Sequence, residues 1–158
     1  MEFQEYLSLV KSRFVPNAEI RADNADSLVT YEEIFKWSWI ATKLKITSFV
    51  KYVDSVKLND IEAYSESCLK QAVRDKKGLP VGFQNGVVSC NVIASESFTP
   101  TAIQFALSRP KKYFAAMEYP ALFDLKSGGL HYYMGEMVWG SIYDSFMKKC
   151  LFEHFCGK

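Results

Sequence analysis

VVSCNVIASESFTP, residues 87–100, holds the passage from strand to helix on which the fold depends. Val87 to Ala94 is short, apolar and rich in β-branched residues, which reads as a buried strand. Alternation places Val88, Cys90 and Val92 on one face, so Cys90 reads as a packed, inert thiol. Thr99-Pro100 then opens a helix, with proline in the first turn, where its missing N–H is harmless. That helix runs from Ala102 to Ser108 and stops before Pro110.

Upstream, Asp60 to Arg74 has helical spacing, with Ile61, Tyr64, Cys68 and Val73 toward the core. Between this helix and the strand lies GLPVGFQNG, residues 78–86. It lacks the Lys-Ser/Thr that a phosphate-cradling loop carries, and a strand follows it where such a loop needs a helix. Gly78 reads as a helix stop and Asn85-Gly86 as a tight turn. Leu44 to Val53 reads as a strand. Before it, Thr30-Tyr31-Glu32-Glu33 has the form of a capping box, which predicts a helix through about Ala41. AEIRADNADSL, residues 18–28, reads as loop with a short strand, and residues 2–14 as an amphipathic helix carrying Phe3, Tyr6, Leu7, Val10 and Phe14.

Downstream, Tyr113 to Met117 reads as a strand, Pro120 as an interruption and Ala121 to Leu125 as its resumption. Lys126-Ser127-Gly128-Gly129 makes a hairpin turn returning through Leu130 to Met134. The last element is a long amphipathic helix. Val138, Trp139, Ile142, Phe146, Met147, Leu151 and Phe155 form its apolar face, and Asp144, Lys148, Lys149 and Glu153 turn away.

Strands that alternate with helices imply parallel pairing through right-handed crossovers. The expected fold is one α/β (or α+β) domain over residues 1–158, in three layers. Its sheet is mixed and mostly parallel, with four or five strands and a C-terminal β-hairpin. Residues 1–43 form a helical and irregular extension packed on it. The element order and YPALFDLKSGGLHYYMG, residues 119–135, resemble a thioredoxin-like arrangement, with a proline opening the third strand. No C-x-x-C is present, and no site residue follows from the resemblance.

Of the 158 residues, 49% are hydrophobic and 15% aromatic, enough for a core without metal or disulfide. The net charge is +1, so no global field favours nucleic acid or an acidic membrane. No apolar run is long enough to span a bilayer, and no basic segment precedes an apolar run at the N-terminus. Cys68, Cys90, Cys150 and Cys156 are too few and scattered for a secreted disulfide scaffold, which points to the cytoplasm.

In parallel sheets ligands gather beyond the carboxyl ends of strands. That rule places Asp54, Glu96 and Glu118 on one rim, where carboxylates hold a divalent cation or act as acid and base. Ser95, Glu96, Ser97 and Thr99 precede a helix whose free amides suit an anion. Asp124-x-Lys126 resembles the acid-x-Lys half of restriction-type nuclease sites, in which the acid binds metal and the lysine steadies a phosphate. Cys150, His154 and Cys156 stand close, but no paired cluster completes a zinc set. Phe35, Trp37 and Trp39, interleaved with Lys36, Lys43 and Lys45, suit base stacking or, more simply, a core or subunit contact.

No catalytic motif, cofactor or resident metal is read from these residues. Three functions remain. One is a binding domain for a small ligand or a protein. Another is a divalent-metal hydrolase or nuclease using the strand-end carboxylates. The third is an interaction protein that pairs with itself through its aromatic faces as a homodimer.

Overall fold

A computed structural model describes residues 1–39, 42–82, 85–111, 113–137 and 141–157. Its elements are α1 (Phe3–Phe14), β1 (Glu19–Asn24), β2 (Ser27–Phe35), a 3-10 turn (Trp37–Trp39) and β3 (Lys43–Tyr52). There follow α2 (Leu58–Asp75), β4 (Asn85–Ser95), α3 (Pro100–Leu107), β5 (Ala116–Asp124), β6 (Leu130–Tyr132) and α4 (Ser141–Phe155).

The strands form one six-stranded sheet in chain order, β1 to β6. β3, β4 and β5 run parallel, joined by α2 and α3, and the flanking strands are antiparallel. The three-layer α/β fold with its terminal hairpin and C-terminal helix is therefore present. Pro120 lies inside β5 and opens no strand, so it lacks the place that the thioredoxin-like resemblance gave it.

Period-two alternation sorts the side chains into two cores. Leu44, Ile46, Val50, Val88, Cys90, Val92, Tyr119 and Phe123 face α1 and α4, which bring Tyr6, Val10, Phe14, Met147, Leu151 and Phe155. On the other face Phe49, Val87 and Ala116 meet Cys68, Leu69 and Ala72 of α2. Ile93 and Leu122 meet Ala102 and Ala106 of α3. Cys90 lies where alternation places it, and burial pushes its thiol far up, out of reactive range.

Several sequence expectations are corrected. Thr30 to Glu33 belongs to β2, not to a helix, because Leu28 and Ile34 turn inward while β3 supplies a full ladder of partners. Residues 19–35 thus contribute two strands to the sheet rather than an extension beside it; the end of the expected helix, at Ala41, lies outside the described residues. Asn85 and Gly86 make no turn but open β4, opposite Lys43 and Leu44.

β5 runs unbroken through Pro120. Leu125 N–H bonds Ser95 O in the direction of β4, and Asp124 N–H bonds Gly129 O on the hairpin side. By alternation the donor that Pro120 lacks would point away from β4. β6 pairs only from Ala121 onward, so no ladder bond is lost there.

On α4, Asp144 turns inward, whereas Ile142 and Phe152 are exposed. Tyr119 Oη donates to Asp144 Oδ1 at 3.2 Å, and Lys148 Nζ pairs with Asp144 Oδ2 at 2.6 Å, so the buried carboxylate is compensated. Val138 and Trp139, expected on this helix, lie outside the described residues. Val73 of α2 is exposed rather than in the core.

α3 starts as expected, with Pro100 in its first turn and the Thr99 hydroxyl accepting from Ala102 N–H at 3.3 Å. Thr99→Ala should cost about 1 kcal/mol, read as a lower urea midpoint at unchanged slope.

Candidate functional site

The rim expected at the carboxyl ends of the parallel strands is split by the structure. Asp54 and Glu96 both act on Tyr52. The bond to Asp54, burial, and the charges of Asp54, Glu96 and Glu2 hold the Tyr52 phenol above its ordinary range. A cavity of about 280 Å³ opens there, lined by Glu2, Asp26, Tyr52 and Glu96. Glu118 is elsewhere. It lies near the start of β5, opposite Ser89 of β4, at the other end of the sheet. Its placement on the rim assumed that the strand ended before Pro120, which it does not.

Asp124 is at the carboxyl end, beside Ser95, but its oxygens are engaged within the hairpin. Oδ1 accepts from Lys126 N–H at 2.8 Å, and Oδ2 accepts from the Ser127 hydroxyl at 2.7 Å. Partial burial works against ionisation, yet these bonds hold the Asp124 carboxyl below the usual range. Asp124 and Lys126 therefore shape a turn. The Ser95 hydroxyl is likewise internal, donating to Asp54 O and Ser97 O and accepting from Ser97 N–H. Thr99 caps α3, and Ser97 and Glu96 are exposed. Among the described residues no three His, Cys, Asp or Glu side chains come together as a metal set. His154 packs on the ring of Phe14, and burial lowers its pKa.

Charge and burial coincide at the opposite edge, on the α2 side of the β2–β3 ladder. Antiparallel pairing sets Phe35 opposite Lys43, Glu33 opposite Lys45 and Tyr31 opposite Thr47. These odd-numbered residues share one face. α2 and α3 lie over β4 and β5, and α2 barely reaches β3, so among the described residues no helix covers this end of the ladder.

Lys45 is only 3% exposed, and its Nζ stands 4.0 Å from Glu33 Oε1. Burial lowers its pKa, the Glu33 charge raises it, and Lys76 and Lys43 lower it further. Glu33 is already engaged. It accepts from the Tyr31 hydroxyl at 2.8 Å and pairs with Lys43 Nζ at 3.2 Å, and those partners hold its carboxyl below the usual range. The Arg21 guanidinium lies 3.7 Å above the Tyr31 ring, and burial raises the Tyr31 phenol to about 12. Lys77 donates its backbone N–H to Tyr31 Oη and pairs with Glu19 through its ammonium. Arg21, Lys43, Lys45, Lys76 and Lys77 thus stand against Glu19 and Glu33, while Asp75 is paired with Arg74.

The glycine loop closes this site. Gly78 has φ +82°, and a Cβ there would lie 2.7 Å from Lys45 Nζ. Only a residue without a side chain gives the ammonium its place. Gly78→Ala should shift the Lys45 head group and weaken any anion held by it; chemical shifts of a 15N-labelled lysine side chain report the displacement.

Sequence reasoning placed Lys43 and Lys45 among aromatics but did not bring Glu33, Tyr31 or Gly78 to them. Strand pairing makes the cluster, whereas the local capping-box pattern places Glu33 in a helix. A lysine at alternate positions of an otherwise apolar strand was the available signal. No protein family, curated protein or solved structure matches this chain, so the site stands on its own geometry.

Proposed function

We propose that this protein binds an anionic ligand at the end of the β2–β3 ladder that the described helices leave free, beside the Gly78 loop and against Lys45. The observation that carries this reading is the Lys45 ammonium: buried, 4.0 Å from a carboxylate that two other groups already engage, and surrounded by further cations. A buried charge is costly unless it is paired and hydrogen-bonded. An anion seated between Lys43, Lys45 and Lys76 offsets that cost, and one with several oxygens uses their separate donors. Four free thiols fit a reducing compartment such as the cytoplasm. Among the described residues no helix is long and apolar enough to cross a membrane. Self-association through the exposed Ile142 and Phe152 of α4 is a separate matter that light scattering decides.

The test is calorimetric titration with inorganic tripolyphosphate at low salt. Saturable binding is expected, weakening as salt rises, because charge-driven binding releases counterions. Lys45→Met should keep the fold, since it removes an under-compensated buried charge, and should weaken binding at least tenfold. Lys149→Met, on the exposed side of α4, should leave it unchanged. Absence of binding at millimolar tripolyphosphate, or equal binding by Lys45→Met, overturns the reading.

A further inference from the structure

The β2–β3 ladder carries a second feature beside the cation site. Phe35 is 44% exposed and Trp37 82% exposed, and their rings meet edge to face at 5.2 Å. Trp39, two residues on, behaves oppositely. It is buried, with Tyr143 and Phe146 of α4 packed against it. Lys36 also turns to that side, over the Phe146 ring. Of these two neighbouring indoles, one is buried and the other stands in water. Phe35 pairs with Lys43 and lies two residues along β2 from Glu33, the partner of Lys45. At about 3.4 Å per residue the aromatic group and the buried ammonium are separated by roughly 7 Å along the strand.

We propose that the ligand is a nucleotide unit: its base lies on the Trp37–Phe35 rings and its phosphate against Lys43 and Lys45. This rests on the anion-binding reading above and adds the aromatic half of the ligand. A flat π-system next to a phosphate is the chemistry that matches exposed rings one strand step from a buried and an exposed cation. The near-zero net charge does not oppose it, because the charges are separated in space. Lys43, Lys45, Lys76, Lys77 and Lys111 outnumber Glu19, Glu33 and Asp75 at the amino ends of the parallel strands, and Glu2, Asp26, Asp54, Glu96 and Asp124 outnumber Lys51, Lys57 and Lys126 at the carboxyl ends. A strand of nucleic acid meets a locally positive edge and is repelled from the opposite one.

The unit comes from a free nucleotide or from an unpaired base in a strand, and the same titrations separate the two. Wild type, Trp37→Ala and Lys45→Met are titrated with tripolyphosphate, AMP and a twelve-residue oligothymidylate, with circular dichroism confirming that each variant folds. Expected for wild type is binding of AMP or of the oligonucleotide. Trp37→Ala should lose at least tenfold for that ligand while keeping tripolyphosphate affinity, and Lys45→Met should lose all three. An oligonucleotide at least tenfold tighter than AMP identifies a strand as the source; equal or tighter AMP identifies the free nucleotide. If tripolyphosphate binds but Trp37→Ala changes neither base-bearing ligand, the nucleotide inference falls and the anion site stands. If nothing binds, the anion reading itself has failed.

Discussion

Phe123→Ala should lower the stability of the folded chain by about 3–5 kcal/mol, the range for emptying a buried aromatic position. The Phe123 side chain is fully buried in β5 and faces the layer of α1 and α4. Its ring stacks on Tyr6 of α1, with centroids 3.7 Å apart and planes 7° from parallel. Tyr6 in turn donates its hydroxyl to Phe155 O at the end of α4, at 3.0 Å. The same ring lies against Gly157, where a Cβ would come within 3.0 Å of it. One phenyl group thus joins the first helix, a central strand and the last turn of the chain. Its removal leaves a cavity and loosens the support of a buried Tyr6 hydroxyl, so two costs add. Against a total stability of about 5–15 kcal/mol the loss is a large fraction. Urea unfolding followed by circular dichroism measures it. Phe114→Ala, at a ring 85% exposed, should stay within about 0.5 kcal/mol of wild type. Similar small effects from both would show that Phe123 is not packed as described.

The sequence exposes some of this architecture and conceals the rest for identifiable reasons. The strand at Val87–Ala94 and the helix at Thr99-Pro100 are legible because local chemistry and tertiary role agree there: alternation, β-branching and a cap at consecutive positions. Thr30 to Glu33 misleads because a capping box is a local pattern, and the long-range ladder with β3 overrides it. Pro120 misleads because proline breaks a strand only where its N–H was needed, and that depends on which neighbour lies on which side. The site is less legible than the fold. Glu33 and Lys45 are brought together by a register that follows only once both strands are assigned. Of the acidic rim, Asp54 and Glu96 both act on the Tyr52 phenol, whereas Glu118 belongs to a different environment.

That environment sets the second large effect. Thr47, Ser89 and Glu118 lie side by side across β3, β4 and β5, beneath α2. The Ser65 hydroxyl of α2 donates to Glu118 Oε2 at 3.0 Å, and Asn91 Nδ2 donates to Ser65 Oγ at 2.9 Å. Thr47 Oγ1, Ser89 Oγ and Asn91 Oδ1 are buried without hydrogen-bond partners among the described residues. Glu118 is 2% exposed. Burial raises its pKa; the Ser65 bond, the Lys111 backbone N–H and the Lys111 charge act against that, and Glu66 adds to it. Folding therefore favours the protonated acid. A carboxyl whose folded pKa exceeds its unfolded value contributes its full stability below the unfolded pKa, near 4.3 for glutamate. That stability is lost as pH rises through the folded pKa.

Glu118→Gln removes the charge, keeps an oxygen for Ser65 and adds an amide donor within a row of unpaired acceptors. It should stabilise the protein by about 1–3 kcal/mol at pH 8, the scale of one poorly compensated buried polar group. The gain should shrink as pH falls and vanish near pH 4, where Glu118 is itself neutral. Comparing the two proteins at each pH cancels the titration of Glu32 and His154, whose burial shifts are common to both. A difference that does not change with pH would show that Glu118 keeps one protonation state throughout. A variant less stable than wild type at pH 8 would show that Lys111 and Ser65 hold the ionised carboxylate better than burial opposes it.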